Sequence, residues 1–345
     1  MRVLVTGVDG YIGSLLVTVL MDAGHDVVGL DTGFYRDGWL YSDPSYASKR
    51  PLTLCKDLRS VSASDLEGIE AVIHLAELSN DPLGDTVPKI TRQINHLGSV
   101  RLAKLAKDAG IARFVYTSSC SVYGAGSGEF LDESAPVNPQ TAYAECKVKV
   151  ERDVGALADE NFSPVFLRNA TAYGPSPRMR FDIVLNNLSG LAWVTKRIAM
   201  TSDGTPWRPL VHVLDICQAI RCALEAPAEA IHNEKFNVGQ NSDNYKVREI
   251  AEIVGDVFTG CEVTFGDSGG DNRSYRVSFD KIHQRLPGFE CRWSALSGAQ
   301  QLRQIFERIQ MPEETFEFRA FTRLNQLRYL METRQIDDEL FWTAP

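Results

Sequence analysis

The fold of this chain is decided by residues 2–13, which read RVLVTGVDGYIG. A short apolar run with strand character leads into three glycines, and the apolar pattern of a helix follows. In such a turn the first glycine permits the tight bend, the second lets the backbone approach a pyrophosphate, and the third lets the helix pack on the strand. The pyrophosphate then lies at the N-terminus of the helix. We therefore predict that a dinucleotide binds at Gly7, Gly10, Tyr11, Ile12 and Gly13.

Asp31 stands at the end of the next predicted strand, about 20 residues beyond the glycines, where dinucleotide-binding proteins carry an acidic residue. Its carboxylate can accept hydrogen bonds from a ribose diol but would repel a 2′-phosphate, so Asp31 favours NAD over NADP as the cofactor. The alternative is that Asp31 only caps the strand. Asp57 and Leu58 follow another predicted strand and are expected to face the adenine, although Asp57 could equally open a surface turn.

Strand and helix patterns alternate through the first half of the chain, which is typical of an α/β fold with a doubly wound parallel (Rossmann) sheet. The predicted strands cover 2–6, 26–31, 71–76 and 113–118, and the predicted helices cover 12–23, 87–109 and 142–157. Beyond about residue 175, Pro and Gly punctuate shorter elements, which indicates a smaller mixed α/β lobe at the carboxyl edge of the sheet. We predict a Rossmann domain at 1–174, a substrate-binding lobe at 175–295 with some segments returning to the sheet, and a helical C-terminal extension at 296–345.

Tyr143 and Lys147 lie one helical turn apart and therefore share a face of a predicted helix. Tyrosine is a poor base at its ordinary pKa of about 10, but a neighbouring ammonium stabilises the phenolate. Tyr143 can then abstract a proton from a substrate, while Lys147 also reaches the nicotinamide ribose. Residues 117–124, which read TSSCSVYG, can supply a hydroxyl to the same site.

Several motifs occur together and in order: TGVDGYIG at 6–13, His74-Leu75-Ala76, SSCSVYG at 118–124, the Tyr143/Lys147 pair, and Tyr173-Gly174-Pro175. Through these motifs, residues 1 to about 290 resemble the extended short-chain dehydrogenases/reductases of the NAD-dependent nucleotide-sugar epimerase/dehydratase type. The resemblance implies that hydride leaves a sugar carbon, commonly C4, to give a transient keto sugar.

The resemblance also implies roles for individual residues. Ser119 would be the catalytic hydroxyl that hydrogen-bonds the reacting sugar hydroxyl, with Tyr143 as the base and Lys147 as its activator. Leu75 and Ala76 would lie beside the cofactor. Asn95 would hydrogen-bond the backbone near the catalytic tyrosine, unless it is simply an exposed helix residue.

For the substrate, the resemblance implies that Asn187 contacts the nucleotide diphosphate and that Arg208 binds it, since a guanidinium donates two charge-assisted bonds to phosphate. Thr171 replaces the family's usual Asn before Tyr-Gly-Pro. The Arg expected just before residues 270–271 is also absent, and Arg273 or Arg276 could replace it. The resemblance further implies a homodimer, in which helices 87–109 and 142–157 form a four-helix bundle.

Three positions near the predicted site depart from relatives with other activities. Cys120 and Ser121 stand where 4,6-dehydratases carry an Asp-Glu pair, and neither can do carboxylate chemistry, so dehydration is disfavoured. Cys120 is expected in the core, because neighbouring residues of a strand face opposite sides. Glu77 replaces a small residue near the nicotinamide. It could act as an extra acid or base, or it could point to solvent or pair with a cation.

The composition excludes several classes of protein. A net charge of −9, without clustered Lys and Arg, argues against a nucleic-acid partner. Seven scattered Cys without metal-binding spacing indicate neither a disulfide framework nor a metal site, and a reducing cytoplasm fits them. The sequence shows no signal peptide and no apolar run as long as a membrane span, so a soluble cytoplasmic protein is expected.

These observations favour a nucleotide-sugar epimerase that holds NAD, oxidises a sugar hydroxyl, and returns the hydride. An NAD-dependent oxidoreductase with a net redox change, acting on a keto sugar or another alcohol, is the enzymatic alternative. A catalytically idle NAD-binding scaffold, with residues 296–345 recruiting a partner, is a third hypothesis. The intact Ser119, Tyr143 and Lys147 argue against the scaffold.

Overall fold

The computed structural model describes residues 1–42, 50–79, 86–126, 128–267 and 274–343. Its strands are β1 (Arg2–Thr6), β2 (Asp26–Asp31), β3 (Leu52–Cys55), β4 (Ala71–His74), β5 (Arg113–Ser119), β6 (Phe130–Leu131), β7 (Ser163–Asn169), β8 (Thr171–Tyr173), β9 (Arg197–Ala199), β10 (Trp207–His212), β11 (Lys235–Val238), β12 (Asn244–Lys246), β13 (Glu262–Thr264) and β14 (Arg276–Val277). Its helices are α1 (Gly13–Asp22), α2 (Pro88–Thr91), α3 (Ser99–Asp108), α4 (Ala142–Gly155), α5 (Val184–Thr195), α6 (Val213–Glu225), α7 (Ala228–Ile231), α8 (Val247–Val257), α9 (Asp280–Arg285), α10 (Ala295–Arg308), α11 (Glu313–Glu317) and α12 (Arg323–Glu332).

Seven strands form the central sheet in the order β11-β7-β5-β4-β1-β2-β3. Every neighbouring pair is parallel. The order of the strands reverses between β1 and β4, which opens a crevice at their carboxyl ends. The predicted doubly wound parallel sheet is confirmed.

The two faces of this sheet are covered by different helices, as the alternation of side chains along a strand requires. Val3 and Val5 pack in one buried cluster with residues of α1 and α6, such as Leu16 and Ile220. Leu4 points to the other face and joins a cluster that includes residues of α3 and α4. Because both faces are buried, the strands read as continuous apolar runs.

The smaller lobe is built from short elements, as predicted. A three-stranded sheet of β12, β10 and β8 is accompanied by two pairs, β9 with β13 and β6 with β14. Helix α6 packs against the central sheet and β11 pairs with β7, so these two elements lie with the Rossmann strands. The exact boundaries of the three predicted domains stay a prediction.

Two predicted elements differ from those observed. Strand β4 ends at His74 and does not reach residue 76. The N–H of Leu75 is shared between the carbonyl and the hydroxyl of Thr6, at 3.1 and 3.2 Å, and the N–H of Ala76 donates to the same hydroxyl at 3.1 Å. The helix predicted at 87–109 contains a π-helical segment, Arg92–Gly98, between α2 and α3. None of the helices in the described ranges is long and apolar enough to cross a membrane.

The C-terminal extension is helical and packs in two places. Its first helix, α10, buries Leu302 and Phe306 in the cluster that contains Val3. Leu327, Leu330, Ile336 and Leu340 are buried in the cluster that contains Leu4. This second part of the extension shares its cluster with Phe34 and Leu58, which follow β2 and β3.

Candidate active site

A cavity of about 620 Å³ lies at the carboxyl ends of β1, β2, β4 and β5, where the order of the strands reverses. This volume is within the range of small-molecule sites. Most of the residues predicted to bind the cofactor or act in catalysis line it. They are Gly7, Gly10, Tyr11, Ile12, Gly13, Asp31, Asp57, Leu58, Leu75, Ala76, Ser119, Tyr143 and Lys147.

The glycine turn has the close contacts that explain its composition. Gly7 has a φ of 75°, a conformation that residues with a side chain rarely adopt, and a Cβ there would lie 2.9 Å from the backbone nitrogen of Ala76. A Cβ on Gly13 would lie 2.1 Å from the carbonyl oxygen of Gly7. Ile12, at the N-cap of α1, has no side chain that caps the helix. Because Tyr11, Ile12 and Gly13 also line the cavity, the N-terminus of α1 faces it with backbone donors, which fits the pyrophosphate of NAD.

A buried network of hydrogen bonds joins β1 to β4 behind this turn. The hydroxyl of Thr6 lies 2.6 Å from Nδ1 of His74, and Nε2 of the same ring lies 2.8 Å from the hydroxyl of Ser99. Burial lowers the pKa of His74 to about 3, so the ring is neutral and structural. The network holds the segment that carries Leu75 and Ala76 against the cavity.

Asp31 and Asp57 both have local hydrogen bonds as well as a place in the cavity wall. The Asp31 carboxylate accepts the N–H groups of Gly33 and Asp9, at 2.7 and 3.0 Å. Each oxygen can accept a further bond, so capping and ribose binding are compatible. Asp57 caps a short turn at Leu58 and receives both arms of the Arg59 guanidinium at 2.9 Å.

Tyr143 and Lys147 project from the first two turns of α4, whose N-terminus is capped by the side chain of Thr141. The Lys147 ammonium lies 5.4 Å from the centre of the Tyr143 ring and donates a short hydrogen bond to the carbonyl of Thr117. Ser119 ends β5 and accepts the N–H of Ser121 at 3.1 Å, which leaves its own O–H available as a donor. The three residues surround one part of the cavity.

Glu77 lies inside the same cavity, with its side chain only 2% exposed, and its carboxylate is 2.6 Å from the Lys147 ammonium. The hydroxyl of Tyr116 donates to the other carboxylate oxygen at 2.6 Å. Burial alone would lower the pKa of Lys147, but the Glu77 carboxylate more than offsets this effect and the pKa is raised. Of the alternatives for Glu77, the structure shows pairing with a cation.

Positions 120 and 121 differ in orientation. Cys120 is buried, and its thiol lies 3.1 Å from the carbonyl of Arg168. Ser121 lines the cavity, and its buried hydroxyl oxygen has no hydrogen-bond partner among the described residues. Ser121 can therefore bind a ligand, while Cys120 belongs to the core.

The structure places the predicted substrate residues unequally. Thr171 and Arg208 line the cavity. Asn187 lies in α5, outside the cavity wall that the described residues form, and its amide donates to the carbonyl of Phe181 at 2.9 Å. Arg273 lies outside the described residues.

Asn95 is fully buried rather than exposed, and it too lies outside the cavity wall that the described part of the chain forms. It holds both backbone groups of Leu78, through bonds of 2.9 and 3.0 Å. Asn95 thus anchors the segment that carries Glu77.

Sequence reasoning missed a cluster of charges at one end of the cavity. Arg180 and Asp182 form a two-armed ion pair, with bonds of 2.8 and 3.1 Å, and Arg323 of the C-terminal extension lies nearby. All three line the cavity. They come from irregular segments and from the start of α12, so no motif or periodicity marked them.

Comparisons with known proteins agree with this geometry. A sequence model of the NAD dependent epimerase/dehydratase family matches residues 3–239. The UDP-glucose 4-epimerase of Mycolicibacterium smegmatis is 33% identical over 304 residues, which are 83% of this chain and 92% of that protein. The UDP-glucose 4-epimerase of Bacillus subtilis is 26% identical over 287 residues, covering 77% of this chain and 84% of that protein. The solved structure of MoeE5 in complex with UDP-glucuronic acid and NAD is 28% identical, with a TM-score of 0.75, and covers 90% of this chain and 100% of that one.

Proposed function

Because the chain belongs to the NAD-dependent epimerase/dehydratase family, we propose that it is a nucleotide-sugar epimerase that inverts C4 of a UDP-hexose. The observation that carries the proposal is one cavity that joins the glycine turn to Ser119, Tyr143 and Lys147. The names of the two UDP-glucose 4-epimerase relatives support UDP as the nucleotide and C4 as the reacting carbon.

In this proposal Tyr143 takes the proton from the C4 hydroxyl, while Ser119 hydrogen-bonds the same hydroxyl. Lys147 keeps a positive charge beside Tyr143 and so favours its phenolate form. The chemistry that NAD supplies when bound is reversible hydride transfer with C4. Inversion follows when the transient keto sugar turns its other face to the cofactor and Tyr143 returns the proton. The reaction then has no net redox change.

The residues around the sugar also argue for inversion rather than loss of water. A 4,6-dehydratase needs an acid and a base beside the catalytic hydroxyl, and positions 120 and 121 hold a core thiol and a hydroxyl. The carboxylate that does line the cavity, Glu77, is engaged by Lys147 and Tyr116. It is therefore poorly placed to remove water.

For the nucleotide, we propose that Arg208 of β10 binds the diphosphate, together with Thr171 of the paired strand β8. Arg273 and Asn187 belong to the same proposed set. Asn187 would need to exchange its bond with Phe181 for one with the ligand.

We further propose a homodimer in the cytoplasm. All seven cysteines are unpaired thiols, as a reducing compartment favours. The helical run of α2 and α3 and the neighbouring α4 would form the contact.

The proposal is tested by incubating the purified chain with UDP-galactose and no added cofactor. UDP-glucose should form and absorbance at 340 nm should stay constant after the first turnover. Tyr143→Phe should lower kcat by about 10²–10⁴-fold while NAD remains bound, because it removes only the proton acceptor. Stoichiometric formation of NADH would instead identify an oxidoreductase with a net redox change.

A further inference from the structure

The C-terminal segment 319–342, here called the strap, is bonded to the loops that follow β2 and β3. The indole N–H of Trp342 donates to the carbonyl of Thr32 at 2.7 Å. Arg59, which holds Asp57, donates to the carbonyl of Glu339 at 2.9 Å and lies 3.8 Å from the ring centre of Phe341. Thr32 and Asp57 both line the cofactor cavity, so the strap is attached to its walls.

The beginning of the strap forms part of the wall itself, through residues 322–325 at the start of α12. Neighbouring residues fix this part in place. Arg319 pairs with Asp37 at 2.6 Å, and the side-chain amide of Gln326 donates to the carbonyl of Phe34 at 2.9 Å. On the inner face of α12, Leu327 is buried in the core.

Arg323 is the residue of the strap whose surroundings indicate that it binds a ligand. It is only 3% exposed, and its guanidinium lies 4.1 Å from the centre of the Tyr35 ring. Within the described ranges its guanidinium makes no hydrogen bond, whereas the neighbouring Arg180 places both arms on Asp182. Asp182 also accepts the backbone N–H of Arg323, at 3.3 Å.

The charges around Arg323 leave it without a dedicated anion. Burial and the Arg180 cation together lower its pKa to about 10, although Tyr35, Asp182 and Asp31 act in the opposite direction. The guanidinium is still charged at neutral pH. A buried guanidinium without hydrogen bonds is costly, and a phosphate would supply both charge and acceptors.

We propose that Arg323 binds the pyrophosphate of NAD, so that the strap is a wall of the cofactor site. The inference rests on the proposed function, because it requires NAD as the resident cofactor. The side-chain amide of Asn186 donates to the hydroxyl of Tyr11 at 3.2 Å and to the carbonyl of Arg180 at 3.0 Å, and the Asp182 carboxylate accepts from Arg180 and from the backbone N–H of Arg323. A chain of contacts therefore joins the two cations to Tyr11 of the glycine turn. The strap is bonded to cofactor loops through Thr32, Phe34 and Arg59, and this favours the dinucleotide over the diphosphate of the sugar substrate.

The strap has a consequence for the reaction cycle. An epimerase returns the hydride to the sugar in every turnover and so regenerates oxidised NAD, which means that the cofactor never needs to leave. The strap is bonded to two loops of the cofactor site and contributes Arg323 to the pyrophosphate. It should therefore slow the release of NAD.

The test compares full-length Arg323→Gln and Arg323→Lys with the unaltered chain. Arg328→Gln is the matched control, because Arg328 lies on the same helix and is exposed. NAD is extracted and counted per chain after gel filtration, and the Kd values of NAD and of UDP are measured by calorimetry on protein stripped of cofactor. We expect R323Q to raise the Kd of NAD by about 10- to 100-fold, which is the range for the loss of a hydrogen bond to a charged group, and to leave the Kd of UDP unchanged. R323K should lie between R323Q and the unaltered chain, and R328Q should match the latter.

Each other result has a distinct meaning. Equal NAD affinity of R323Q and the unaltered chain would overturn the role of Arg323, and so would a loss of UDP affinity with NAD affinity unchanged. If circular dichroism shows that R323Q does not fold, the test rests on R323K. An NAD affinity of R323K equal to that of the unaltered chain would then overturn the inference. An unaltered chain that neither retains nor rebinds NAD would contradict the proposed function itself.

Discussion

Glu77 and Lys147 place opposite charges 2.6 Å apart inside the catalytic cavity. The ammonium has three hydrogens, of which one goes to the carbonyl of Thr117 and one faces Glu77. Lys147 therefore keeps a single donor, which we expect to bind the cofactor ribose. Tyr116 keeps its proton, because burial and the adjacent Glu77 raise its pKa well above the ordinary value, and it holds the carboxylate in place.

The charge of Glu77 should be visible in the pH dependence of catalysis. Its carboxylate raises the pKa of Lys147 and disfavours a second negative charge on Tyr143. Glu77→Gln removes this negative charge, so the acidic limb of the pH profile of kcat should move to lower pH by about one unit or more. The same change at the exposed Glu67 should leave the profile in place. If the acidic limb of the kcat profile of E77Q does not move, or moves to higher pH, the electrostatic role of Glu77 is contradicted.

At the scale of elements, the turn between β1 and α1 depends on how closely two backbones approach. Gly7 and Gly110 have nearly the same φ, 75° and 76°, but a Cβ meets Ala76 only at Gly7, and Gly110 has open space around it. The two sites separate the cost of the backbone conformation from the cost of the contact.

Gly110→Ala should destabilise the protein by about 1–2 kcal/mol, the cost of a left-handed residue. Gly7→Ala should cost about 1–3 kcal/mol more, because the added methyl group also collides with the backbone of Leu75 and Ala76, just beyond β4. Urea unfolding of the cofactor-free chains measures both values, and only G7A should lose NAD on gel filtration. Equal losses of stability would show that the contact with Ala76 carries no energy.

Elements also show what could be predicted from sequence. The glycine turn and the buried strands were predictable because their signals are local. The end of β4 was not, because it depends on the side chain of Thr6, which comes from another strand. The π-helical segment at Arg92–Gly98 was not predicted either, because its residues follow the same apolar pattern as an α-helix. Asn95 was marked by resemblance, but its position beneath Leu78 follows only from tertiary packing.

At the scale of the whole molecule, the cofactor site is assembled from both ends of the chain. The motifs of the first half of the chain indicated the glycine turn and the residues Ser119, Tyr143 and Lys147. Arg323 and the strap came from a region that the sequence described only as helical and aromatic, because contacts over nearly 300 residues leave no periodic pattern. A strap over the cofactor loops was therefore beyond sequence reasoning.

The proposed dimer gives a prediction at this scale. Leu97 is 59% exposed on the helical run between α2 and α3, which would face the partner. Light scattering should give about twice the mass of one chain, and Leu97→Glu should give monomers, because burying a carboxylate in an apolar contact is costly. Leu296→Glu changes a leucine of similar exposure, 48%, on α10 and should leave the dimer intact. A monomeric unaltered chain would contradict the proposal.

The central claim is that hydride leaves C4 and returns to C4 within one site. The most direct measurement uses UDP-galactose with deuterium at C4 in ordinary water, without added cofactor, followed by NMR of the product. The account predicts UDP-glucose that retains the deuterium at C4, with no NADH released. Exchange of the label with solvent, or its appearance in free cofactor, would contradict it.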